Sequence, residues 1–277
     1  MVDWLNLFMD TANAIRKEVE PMLGTTQARQ TRGRGAGGDI AHSVDIAAED
    51  IVIRRLENER IPCVLVSEEV GTRYINGGSK DHVVLDPVDG TTNAIRYIPF
   101  SSTSIAHSTS PWLRDIDVGL VMDLYSGMVF TAKKGEGARL NGSKATASKV
   151  VDLEEAVISL ELTHPNHVRT LTRTLLPLME RTLKLRHLGS TALEMAYVAS
   201  GALDAFVDMR GLTRSVDLAA AVVIAREAGG LVVTPDGGEL DMELKATART
   251  SFVASGNQQL ADKIVELLRK GMDATLI

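Results

Sequence analysis

Cysteine is nearly absent: Cys63 is the only one in 277 residues, so no intramolecular disulfide can form. A lone thiol suits a reducing cytosol, and its run PCVLVS reads as buried packing. Positive charge is also in deficit. Thirty lysines and arginines stand against 36 acidic residues, a formal net charge of −6, so bulk electrostatics favour neither nucleic acid nor an anionic membrane. Any anionic ligand must be held by local groups. Long apolar runs are missing too: the longest, Leu218 to Ala225, is far below the ~20 residues that cross a bilayer. The opening MVDWLNLFMDTANAIRKEVE sets Asp3 and Asp10 among apolar residues at helical spacing, unlike the basic-then-apolar order of a signal peptide. These absences lead to the expectation of a soluble, cytoplasmic protein. No internal repeat, low-complexity tract or Pro/Ser-rich linker divides the chain.

What is present is the balance of a globular core, with 44% hydrophobic and 24% charged residues. The length fits one large domain or two intimately packed ones. After the N-terminal amphipathic pattern, a second helix is expected through HSVDIAAEDIVIRRLENE, with Val44, Ala47, Ile51 and Leu56 on one stripe and charges opposite. Between them TRGRGAGGD (31–39) carries four glycines, the composition of a mobile loop around Asp39. It reads either as a flexible surface loop or as a lid over an anion. Short β-type runs at Cys63–Val66, His82–Leu85, Thr103–His107, Asp117–Met122 and Met128–Thr131 predict a mostly antiparallel sheet. From about residue 151 strand and helix alternate: AVISLEL, a helix near Asn166–Met179, LKLRHLG, TALEMAYVASG, ALDAFVDM, VDLAAAVVIAREAGG and LVVT. A last strand and a helix ending at Gly271 follow. The change of texture predicts an α+β subdomain over 1–150 and an α/β subdomain over 151–277, closing a shared cleft.

The chemistry concentrates in VVLDPVDGTTNAIRY, residues 83–97. A buried strand delivers Asp86, Pro87 stiffens the backbone, and Asp89 follows three residues on. Two carboxylates from a rigid corner suit a hard divalent cation such as Mg²⁺, and Gly90 allows close approach of another group. A helix starting at Thr91 would point unpaired N–H groups and threonine hydroxyls at a phosphate. DPVDG as an ordinary turn with a threonine cap is the competing account. Glu68 and Glu69 end another strand, and Asp217 starts an alanine-rich helix, where it serves either as a cap or as a fourth converging carboxylate.

Together SEEVG (67–71), LDPVDGTTN (85–93), KKGEGARLNG (133–142), GSTALEMAYVASGALDAF (189–206) and SVDLAAAVVIAREAGG (215–230) resemble the inositol monophosphatase superfamily of Mg²⁺-dependent, lithium-sensitive sugar and inositol phosphatases. Val216 stands where the superfamily often has tryptophan, and Ala221 where glycine is frequent. The resemblance implies a layered α-β-α-β-α sandwich, with an antiparallel first sheet and an α/β second half, and a homodimer. It implies two or three Mg²⁺ ions. Glu68, Asp86 and the Val88 carbonyl would bind one, and Asp86, Asp89 and Asp217 a second. A third would sit near Glu68 beneath the loop at Asp39. Gly90 and Thr91 would hold the phosphate, Thr191 would join the substrate-binding set, and Thr91 with Glu68 would orient the attacking water, with Asp86 in the catalytic group.

Substrate choice turns on DAFVDMRGLTRSVD. Where animal members carry an acid that meets the inositol ring, this sequence has Arg210, with Arg214 close behind. The cations suit a second phosphate, as in archaeal members that also hydrolyse fructose 1,6-bisphosphate, unless they are solvated or pair with Asp204 or Asp208. The expectation is a phosphatase of inositol 1-phosphate and fructose 1,6-bisphosphate. The alternatives are a 3′-phosphoadenosine 5′-phosphate or NADP phosphatase, and a non-catalytic metal- or sugar-phosphate-binding regulator.

Overall fold

Apolar residues at helical spacing build α1 (Trp4–Val19), which buries Leu7, Phe8, Ala12, Ile15 and Val19 and is capped by Asp3 accepting from Asn6 N–H. The computed structural model describes residues 2–163 and 167–274. Next come β1 (Thr31–Arg34), β2 (Ile40–His42), α2 (Ser43–Asn58), β3 (Cys63–Ser67), β4 (Gly71–Ile75), β5 (His82–Asp89) and α3 (Thr91–Arg96). The first half continues with β6 (Ser102–Ser108), β7 (Ile116–Asp123), β8 (Val129–Lys133), β9 (Gly137–Leu140) and β10 (Ser143–Lys144). The second half holds β11 (Val157–Leu160), α4 (Val168–Met179), β12 (Lys184–Arg186), α5 (Thr191–Ser200) and β13 (Ala205–Arg214). It ends with α6 (Ser215–Glu227), β14 (Leu231–Val233), β15 (Arg249–Ser255) and α7 (Gln258–Asp273).

The strands form an eight-stranded sheet, ordered β10-β9-β8-β7-β6-β5-β3-β4, and a five-stranded sheet, ordered β12-β11-β13-β15-β14. In the first every pair is antiparallel except β3 with β5. The second is mixed: β11 runs parallel to β12 and β13, while β15 runs antiparallel to β13 and β14.

Alternation along the strands sorts side chains into three cores. Leu65, Val83 and Leu85 pack with α1 and α2. Val64, Val66 and Val84, on the opposite face, pack with α5, α6 and the inner face of the second sheet. Ile158, Val207 and Val253 pack beneath α4 and α7. Five layers result, helix–sheet–helix–sheet–helix, and the middle core draws on both halves of the chain. Val216 and Ala221 are fully buried in that core, so both departures from the superfamily pattern are packing changes.

Several local expectations change. The glycine-rich segment forms the β1–β2 hairpin, and its tip is docked rather than loose: Ala36 and Gly37 N–H donate to the Glu69 and Glu68 carbonyls at 2.9 Å each. A Cβ on Gly37 would lie 2.9 Å from the Arg214 guanidinium, so close approach explains that glycine. In α2, not all charges face solvent. Asp45 and Glu49, one turn apart, are buried beside Val44, Ala48 and Val52. Pro87 makes no turn: β5 runs through it to Asp89, with a register break between Asp86 and Asp89 against β6. Helix α7 continues past Gly271 to Asp273. A Cβ at Gly271 would meet the Thr174 carbonyl oxygen at 2.0 Å, so this glycine permits helix contact rather than ending the helix. The expected start of α4 at Asn166 lies outside the described residues.

Candidate active site

Asp86 leaves β5 on the face that Val84 shares with α6. It is fully buried, and neither carboxylate oxygen has a hydrogen-bond partner. Burial holds its carboxyl well above the usual range, and the charges of Glu68, Asp89 and Asp217 push the same way. A buried carboxylate with both oxygens unpartnered is costly unless a cation or proton arrives. Glu68 stands just beyond β3, and burial also raises its pKa, against the pull of Arg214.

Asp89 is used differently. Its oxygens accept from Ser190 Oγ at 2.5 Å, Thr191 N–H at 3.1 Å and Ala192 N–H at 2.7 Å, which caps α5. Burial still lifts it to about 7, with the Ser190 bond opposing and Asp217 adding. Asp217 accepts from the Arg214 N–H at 2.8 Å at the start of α6. Capping and convergence on the cleft are thus combined in one residue.

Gly90 carries φ +83°, and a Cβ there would lie 2.9 Å from the Gly189 carbonyl, so glycine lets the two halves meet. Asn93 donates to the carbonyls of Phe100 and Leu188, at 2.7 Å each, and fastens that junction. Glu194 does the same from α5, accepting from Leu188 N–H at 3.3 Å, Gly189 N–H at 3.2 Å and the Ser159 hydroxyl. Its carboxyl is pushed up to about 7, chiefly by burial.

Thr91 does not pair with Glu68. Its Oγ1 lies 3.0 Å from Asp45 Oδ1 and 3.0 Å from the Val88 carbonyl. Asp45 also accepts from His42 N–H at 2.9 Å, and burial is the leading cause that raises its carboxyl to about 7. Sequence reasoning missed Asp45. The available signal was the one-turn spacing of Asp45 and Glu49 along α2, hidden because the apolar stripe of Val44, Ala47, Ile51 and Leu56 sets the charges of this helix on the opposite side. Glu69, beside the same cleft, is lifted to about 8 by burial and by Glu68, Asp45 and Glu49.

Two adjoining cavities open here. One of about 420 Å³ is lined by Glu68, Asp86, Asp89, Gly90 and Thr91. The other, about 450 Å³, is lined by Asp89, Thr191, Arg210, Arg214, Asp217 and Arg249. Asp39, Asp89, Gly189 and Arg214 border both. Arg214 is the cation among the acids: its guanidinium contacts Glu68, donates to Asp217 at 3.0 Å and reaches Asp39 at 3.1 Å. Among the described residues no three His, Cys, Asp or Glu side chains close on one point as a metal cage, and this guanidinium lies between those facing it. Arg210 is held at Asp208, 2.6 Å away, with Glu161 at 3.6 Å. Asp204 instead accepts from Val157 N–H.

Layered sheets, an acidic cleft between them and a threonine backed by a buried carboxylate are compatible with phosphoric monoester hydrolysis, the class to which the family and its relatives assign the chain. The chain belongs to the inositol monophosphatase family, whose sequence profile matches residues 4–273. It is 37% identical over 276 residues to the fructose-1,6-bisphosphatase/inositol-1-monophosphatase of Methanothermobacter thermautotrophicus, covering 96% of each chain. It is 33% identical over 282 residues to the bifunctional NADP phosphatase/NAD kinase of Methanococcus maripaludis, matching 95% of this chain but only 49% of that protein. A solved inositol monophosphatase–fructose 1,6-bisphosphatase superposes with a TM-score of 0.86 at 31% identity, covering 96% of this chain and 100% of the other.

Proposed function

We propose that the chain is a Mg²⁺-dependent phosphatase of inositol 1-phosphate and fructose 1,6-bisphosphate. The observation that carries the reading is Asp86, fully buried, with two unpartnered oxygens facing Glu68, Asp89 and Asp217. An all-oxygen donor set with a deficit of positive charge fits hard divalent ions. Glu68, Asp86 and the Val88 carbonyl would hold one, Asp86, Asp89 and Asp217 another, and Glu68 with Asp39 would border a third. Bound there, such ions lower the pKa of water and neutralise phosphoryl charge.

The chain's own residues supply the rest. Asp45 Oδ1 orients the Thr91 hydroxyl, leaving the Thr91 oxygen free to accept a hydrogen bond from the attacking water. As the water's proton passed to the Thr91 oxygen, the Thr91 hydroxyl proton would pass to Asp45 Oδ1. Gly90 and Thr91 line the smaller cavity, and their N–H groups would bind phosphoryl oxygens. Thr191 and Arg210 border the larger cavity, where the alcohol portion of the ester would lie.

Asp86→Asn tests this reading. Because those oxygens have no partners, the substitution should leave the metal-free fold as stable or more so, while phosphate release with Mg²⁺ falls by about 10³-fold or more. Normal turnover in a folded Asp86→Asn protein removes the reading. NADP hydrolysis is the second reading, favoured by the Methanococcus relative. Comparing kcat/KM on NADP, inositol 1-phosphate and fructose 1,6-bisphosphate decides between them. We also propose a homodimer: Leu162, Val168, Leu176 and Leu183 are exposed apolar side chains that an interface would cover. Light scattering at micromolar concentration tests it. Among the described residues no helix is long and apolar enough to cross a membrane.

A further inference from the structure

Three arginines line the larger cavity, and their partners differ. Arg210 is neutralised by Asp208 and Glu161. Arg214 is neutralised by Glu68, Asp217 and Asp39. Arg249, at the first position of β15, donates only to carbonyls: Gly37 at 2.5 Å, Ala246 at 2.6 Å and Ala248 at 3.2 Å. Among the described residues no carboxylate lies within ion-pair distance of it. A carbonyl satisfies a donor without cancelling charge, so Arg249 presents positive charge to the cavity whatever holds Glu68 and Asp217, whereas Arg210 stays paired with Asp208 and Arg214 is released only when its carboxylates are taken by a cation.

We propose that Arg249 is the specificity-determining residue of this cleft, binding the second, non-reacting phosphate of a bisphosphate substrate. This rests on the phosphatase reading above and moves the role expected of Arg210 and Arg214 to a residue thirty-five and more positions further along. Geometry supports the shift. Breaking the Arg210 guanidinium from Asp208 would leave that fully buried carboxylate without its cation, held only by the Arg210 N–H and the Thr213 hydroxyl, whereas Arg249 gives up only carbonyl contacts, which water can replace. Arg249 also holds the Gly37 carbonyl, while Gly37 N–H donates to the Glu68 carbonyl. A phosphate at Arg249 would therefore lie beside the docked hairpin tip.

Steady-state kinetics on wild type, Arg249→Met and Arg249→Lys with Mg²⁺ tests the proposal. The readout is the ratio of kcat/KM for fructose 1,6-bisphosphate to that for inositol 1-phosphate. A charge-assisted contact to phosphate predicts a ratio about 10- to 100-fold lower in Arg249→Met, carried by KM, with partial recovery in Arg249→Lys. An unchanged ratio overturns it. So does an equal loss on both substrates, which assigns Arg249 to holding the hairpin. A wild type that hydrolyses the monophosphate but never prefers the bisphosphate overturns this proposal alone. A wild type that releases phosphate from neither ester overturns the phosphatase reading itself. Arg210→Met serves as the contrast: it should lower the melting temperature and leave the ratio less affected than Arg249→Met does.

Discussion

Replacing Arg214 with methionine removes the guanidinium seated among Glu68, Asp217 and Asp39 while keeping a long apolar side chain. The side chains of Arg214, Glu68 and Asp217 are 12%, 11% and 9% exposed, so water screens the loss poorly. Removing one member of a buried pair costs about 3–5 kcal/mol. The lower end applies, because Glu68 already has a raised pKa and can take up a proton, and because Asp39, at 75% exposed, loses little. For a chain this long, about 3 kcal/mol corresponds to a fall of about 5 °C in the metal-free melting temperature. Metal binding should move the other way. In the wild type an ion must displace the guanidinium from Glu68 and Asp217, so Arg214→Met should bind Mg²⁺ at least ~10-fold more tightly. Calorimetric titration, with melting curves in chelator and in Mg²⁺, measures both. A variant that melts like wild type without metal, or binds Mg²⁺ more weakly, refutes the idea that Arg214 competes for the carboxylates.

Other outcomes follow from the same geometry. Asp45→Asn and Thr91→Ala should each lower kcat about 10²-fold with little change in KM, and the double variant should be no worse than the poorer single one; additive losses would separate the two residues. Asp89→Asn turns one acceptor oxygen into an amide donor facing the capping N–H and hydroxyl donors, so it should lose stability as well as turnover, unlike Asp86→Asn; equal melting temperatures for the two variants contradict this. Glu194 has a folded pKa raised from 4.5 to about 7, so its proton-linked stability is full below about pH 4.5 and is lost as pH rises through about 7. The swing is up to about 3 kcal/mol, and Glu194→Gln should remove it; a destabilisation equal at pH 5 and pH 8 argues against the shift. Gly271→Ala should cost about 2 kcal/mol or more, because its Cβ would overlap the Thr174 carbonyl in α4; an unchanged chemical-denaturation midpoint removes that contact from the account.

Individual strands were legible as short apolar runs bounded by turn residues, whereas the layering followed only from the family resemblance that DPVDGTTN carries. Asp86, Asp89, Glu68 and Asp217 were visible as acids at element ends. What stayed hidden depends on contacts remote in sequence. Asp45 looked like a solvated helix charge, since periodicity marks apolar faces and cannot show that a carboxylate is buried beside Thr91, 46 residues away. The docking of the hairpin could not be read either: glycine permits both mobility and close approach, and only the neighbours Glu68, Glu69 and Arg214 decide. Arg210 and Arg214 carried positive charge in the sequence, but their partners Asp208, Glu161, Glu68 and Asp217 cancel it in the fold. Arg249 drew no notice in the sequence, because nothing local distinguishes an arginine at the start of a strand.

Phosphate release from inositol 1-phosphate, fructose 1,6-bisphosphate and NADP, each with Mg²⁺ and with chelator, tests the central claim most directly. The account predicts turnover of the first two with Mg²⁺ and its loss in chelator. Release that persists in chelator, or none from any ester with Mg²⁺ bound, contradicts it.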